Sequence, residues 1–176
     1  RANRVIVDLG PDASGGPATD VCVYNAGGSI DFVLDANGWF GSNLPATPLG
    51  AQFQAIGPTR VCDTRAGSGT PCSGHALGTG GTLPIGVAGV AGIPKDGALA
   101  VIANLTAVSP STTTYLIAYP ADVTPRPNAS DLNIVGPVLP NLVVVGLSQL
   151  AQAGSIHLFN ASGNVNAVLD VEGWFQ

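Results

Sequence analysis

The chain has 176 residues, 45 % of them hydrophobic and only 10 % charged, with a formal net charge of −5 at pH 7. This balance excludes nucleic acid as a partner: Lys95 is the single lysine, and no Lys/Arg cluster exists to neutralise phosphates. The longest apolar stretches, 83–94 and 138–151, are cut by Gly, Pro, Asn or Gln and fall short of the roughly 18 residues of a membrane span, so the chain reads as soluble, with no membrane partner and no signal peptide.

In chain order, strand-like segments occur at 4–9, 20–25, 30–36, 59–64, 82–88, 98–108, 113–119, 130–135, 141–148, 155–160 and 165–172, each bounded by Gly, Pro, Asn, Asp or Ser. Alternation and β-branched content are clearest in ALAVIANLTAV (98–108) and TTYLIAY (113–119). The 24 glycines and 14 prolines supply turns at the spacing of an all-β sandwich or barrel. The nearest approach to a helix is LSQLAQA (147–153), which is allowed one turn. The expected fold is an antiparallel β-sandwich, jelly-roll or Ig-like. A β-trefoil is the alternative, because 98–135 loosely resembles 139–175.

The chain repeats itself. NAGGSIDFVLDANGWF (25–40) and NASGNVNAVLDVEGWF (160–175) agree at nine of sixteen positions, and NRVIVDL (3–9) matches NLVVVGL (141–147). Residues 1–40 therefore correspond to the last three strands of a repeat, 41–58 with its three prolines to a connector, and 59–176 to a complete eight-strand repeat. A duplicated block favours a modular or stacked protein over an enzyme, since a catalytic site has no need of a partial second copy.

Cys62 and Cys72 flank a Gly/Ser/Pro turn region whose ends can meet, so a disulfide is expected, with an oxidising, extracytoplasmic setting; the competing reading makes both of them small buried hydrophobes. Cys22 aligns with His157 and is expected to be a buried structural residue. Asp170 and Glu172 share a strand face with Asn166, and the copy supplies Asp31, Asp35 and Asn37. This repeated polar stripe reads as structural rather than as a catalytic carboxylate pair or a calcium site. Asp35, Asp170, Asp63 and Arg65 are its anchors, with a carboxylate accepting from Arg65 or from a backbone turn. Trp39 and Trp174 either plug the end of a sandwich or stack on a sugar. His75 and His157 lack metal-ligand spacing, no phosphate-binding or nucleophile-elbow motif is present, and neither metal nor other cofactor is expected.

The series RVCDTR (60–65), LPIGVAGVAGIPKDGALAVIANLTAV (83–108), TTYLIAYPA (113–121), RPNASDLNI (126–134), LPNLVVV (139–145) and VLDVEGWF (168–175) resembles a repeat domain of secreted actinobacterial cell-surface and cell-wall-associated proteins. The resemblance implies an accessory module, attached to cell-wall hydrolases or stacked in long surface proteins, and carries over no catalytic residue. The expectation is a non-enzymatic extracellular structural module for surface display or assembly, associating with itself or with neighbouring repeats, even as a filament subunit built by strand addition. The alternative is a carbohydrate- or peptidoglycan-binding accessory domain with cell-wall glycan as its partner.

Overall fold

The computed structural model describes residues 10–11, 15, 18–36, 38, 51–150 and 152–176. The strand expected at 4–9, Trp39, Asn37 and residues 41–50 of the connector lie outside the described residues. The chain divides into two compact units, Arg4–Ala36 and a larger one containing Asn37–Gln176.

In the smaller unit, β1 (Gly10–Pro11) and β2 (Ala18–Asp20) form a short antiparallel ribbon. The strands expected at 20–25 and 30–36 do not continue it, since residues 21–36 join no ladder.

The larger unit holds β3 (Phe53–Asp63), β4 (Thr82–Gly86), β5 (Ala100–Val108), β6 (Thr114–Pro120), β7 (Leu132–Ile134), β8 (Val138–Gly146), β9 (Ser155–Asn160) and β10 (Asn166–Phe175). One sheet has the order β3-β10-β5-β8 and the other β4-β9-β6-β7, and all pairings are antiparallel. Numbered within the unit, the sheets run first-eighth-third-sixth and second-seventh-fourth-fifth. This is the jelly roll, which sets aside both the Ig-like arrangement and the trefoil, because the chain alternates between two layers instead of repeating three similar units. The 147–153 segment is bends and turns, with no helix among its described residues.

Period-2 alternation sends one face of each strand inward. Val101, Ala103, Leu105 and Ala107 of β5 are buried, and Val143, Leu116, Leu132, Ile134, Ile156, Leu158, Leu169 and Val171 join them in one core. Each large aliphatic side chain removed from water there contributes about 1.5–3 kcal/mol. The connector ends earlier than expected, because Phe53–Pro58 already belong to β3. An edge strand tolerates Gly57 and Pro58, and the register against β10 shifts beside them, between the pairs Val171↔Thr59 and Gly173↔Ala55.

β10 lies between β3 and β5, and its register slips at Glu172 against both neighbours. The bulge reverses the alternation, so that Trp174 follows Leu169 and Val171 into the core while Gly173 and Phe175 turn to the opposite face. There the Phe53 ring lies across Gly173 and packs on Phe175 with centroids 5.3 Å apart. A Cβ at position 173 would overlap that ring and sit 2.8 Å from the Gln54 carbonyl oxygen. Gly173→Ala should therefore cost about 1–3 kcal/mol; an unchanged chemical-denaturation midpoint would show that no close approach of β3 requires the glycine.

Candidate functional site

Where β3 ends, the residues CDTR build a polar turn beside the disulfide. Cys62 and Cys72 are bonded, with Cα atoms 5.3 Å apart and both side chains in the core. Asp63 is 2 % exposed. Its Oδ1 accepts from the backbone N–H of Arg65 at 3.0 Å, and its carboxylate accepts a fork from the Arg65 guanidinium, Nε to Oδ1 at 2.9 Å and Nη2 to Oδ2 at 2.6 Å. The Thr70 and Ser68 hydroxyls donate to the Asp63 carbonyl oxygen at 3.0 and 2.7 Å. The Thr64 hydroxyl accepts from Ala167 N–H at 2.8 Å and donates to Asn166 Oδ1 at 3.1 Å, tying the turn to β10. A buried carboxylate is sustained only by such full pairing, and Asp63 has it from Arg65 and its own turn.

Asp170 is paired as well, but its partner is Arg60, which motif reasoning passed over. The two residues face each other in the β3–β10 register, and Arg60 donates from Nε at 2.8 Å and from Nη2 at 3.1 Å to the two carboxylate oxygens. Arg60 Nη1 also approaches Asp63 Oδ2 at 3.6 Å, which joins the two pairs into one charge cluster. Asp35, the copy of Asp170, is exposed. Arg60, Arg65 and Asp170, with Thr106, Val108 and Val138, line an open depression of about 230 Å³ across the outer face of this sheet.

The other sheet carries an aromatic outer face. Tyr119 and His157 meet edge to face at 5.4 Å, and the Arg126 guanidinium lies 3.7 Å over the Phe159 ring. Tyr119 and Phe159 are buried, and Tyr115 is partly exposed.

One placement decides between two expected readings and a second departs from its expectation. Trp174 is nine-tenths buried in the core, so it plugs the sandwich and offers no face to a sugar; the bulge at Glu172 turns it inward. Cys22 is exposed rather than buried. Residues 21–25 join no strand, and Val21 and Val23 on either side of it are exposed as well. Asn160 is fully buried: its amide donates to the carbonyls of Leu77, Gly78 and Gly163, and its Oδ1 accepts from Thr114 Oγ1 at 2.7 Å. The copy keeps the local part of this clamp, with Asn25 Nδ2 donating to Gly28 O at 2.8 Å.

Among the described residues no helix is long and apolar enough to cross a membrane, and no three His, Cys, Asp or Glu residues form a cluster able to hold a metal ion. No protein family, characterised protein or solved structure matched the chain.

Alkylation of the denatured, non-reduced chain should add one label, on Cys22, and intact-mass measurement showing three would refute the disulfide. The Arg65 fork holds the Asp63 carboxyl below its ordinary value of 3.8, against the opposing effect of burial. A carboxylate with a depressed native pKa stabilises the fold above its unfolded pKa and loses that contribution as pH falls through the native value. Asp63→Asn should therefore lose about 1.5–3 kcal/mol at pH 7, and the deficit should shrink as pH falls below about 4. A deficit constant from pH 7 to 2 in urea titrations would contradict the assignment.

Proposed function

We propose that the chain is a non-enzymatic, extracellular structural module that joins repeat units at a cell surface, as the resemblance to actinobacterial surface repeats implies. The carrying observation is the partial copy. Val21, Val23, Ile30, Phe32 and Leu34 are 37 to 65 % exposed, whereas their counterparts Ile156, Leu158, Val165, Ala167 and Leu169 are at most 1 % exposed in the core of the jelly roll. Surface-exposed apolar residues in a core pattern mark an unfilled interface. The disulfide supports the extracellular setting.

Addition of a strand to the edges of the complete domain is disfavoured. Edge strands β3, β4 and β8 contain Pro58, Pro84 and Pro140, which have no N–H for an incoming strand, and edge strand β7 has three residues. The second reading, glycan binding, rests on the depression lined by Arg60, Arg65 and Asp170.

Sedimentation velocity over a concentration series tests both. The full chain should associate as concentration rises, and a chain lacking residues 1–50 should stay folded and monomeric. Neither should bind soluble peptidoglycan fragments. Saturable fragment binding by a monomeric full chain, abolished by Arg60→Ala, would replace the structural reading with the glycan one.

A further inference from the structure

We infer that residues 20–36 are the two central strands of a second jelly roll, and that their partner is a further unit of the same repeat supplying the equivalents of β3 to β7. This rests on the structural-module reading and specifies its partner. The offset of 135 places 20–25 on β9 and 30–36 on β10. In the complete domain those strands are internal in both sheets, β9 between β4 and β6 and β10 between β3 and β5. The copy keeps the Asn25–Gly28 turn that in the complete domain connects the two sheets as Asn160–Gly163. It keeps an apolar residue at each inward position, and it keeps Asp35, whose counterpart Asp170 is held by an arginine on the neighbouring strand. The turn is local, but the inward apolar residues and the Asp35 carboxylate have their counterparts' partners only between two flanking strands.

A second copy of this chain can meet these exposed apolar residues on association, but it cannot supply the flanking strands. Its two slots are filled by its own β9 and β10, and one position does not fit. Phe32 corresponds to Ala167, which is 1 % exposed and paired side by side with the equally buried Ala107 of β5, so a phenylalanine ring has no room in this chain's own core. The partner unit therefore carries an arginine at the position of Arg60 and a wider cavity opposite Phe32.

The test extends the full chain at its N-terminus with residues 51–138 of its own sequence, which restores the eight-strand order around the copy, in versions with Phe32 and with Phe32→Ala. Amide exchange of residues 20–36 is then followed by mass spectrometry beside the unextended chain. In the extended Phe32→Ala chain exchange should slow by about 100-fold or more, and concentration-dependent association should disappear. The Phe32 version should be protected less, and Asp35→Asn should reduce the protection. Unchanged exchange in both extended chains would overturn the inference while leaving association of the original chain, and with it the structural reading, intact. Protection appearing in the unextended chain at high concentration would overturn it in favour of a homotypic exchange of strands.

Discussion

The jelly roll depends on β10 being paired on both sides. Its inward residues Ala167, Leu169 and Val171 meet β5 along one edge, and its other edge holds β3, which brings Cys62, Asp63 and Arg60 into place. Because one strand sets the register of two others, the slip at Glu172, shared by both ladders, reaches across the sheet. It sends Trp174 inward and brings Gly173 under the Phe53 ring. A bulge here has the effect of closing one end of the sandwich with an aromatic residue that strict alternation would have left outside.

Four of the chain's few charged residues are gathered into one paired cluster. Arg60, Asp63, Arg65 and Asp170 are concentrated on one outer face at the junction of β3 and β10. Asp63 is buried within its own hydrogen-bonded turn, whereas Arg60 and Arg65 keep about half of their side-chain surface in solvent. The first carboxylate is thus a folding element, since its removal would leave a buried turn unsatisfied. The arginines retain solvent-facing surface beside the depression, the part of the domain where a polar ligand would find donors.

The two copies show how far local sequence carries a strand. Asn25 and Asn160 close the same turn with the same amide-to-carbonyl bond three residues on, which is local chemistry and survives the loss of all neighbours. The flanking residues do not behave alike: 155–160 and 166–175 are ladders in the complete domain, and 21–36 are not. A β-strand is completed by its hydrogen-bonding neighbours, and among the described residues of Arg4–Ala36 none pairs with 21–36 as the flanking strands pair with β9 and β10.

Sequence by itself determined what depends on short range. Alternation and turn residues specified the all-β class and most strands of 59–176, the Cys62 to Cys72 spacing permitted the disulfide, and the Asp63–Arg65 pair follows from a two-residue separation in the CDTR turn. What depends on which strands become neighbours was decided by the tertiary structure alone. Arg60 acquires Asp170 across 110 residues, Asn160 reaches Leu77 and Gly78, Trp174 is inverted by a bulge, and β3 starts at Phe53 within an apparent linker. The order of the sheets chose the jelly roll over its competitors for the same reason: alternation states that a strand has an inner face, and only packing states which strand lies beside it.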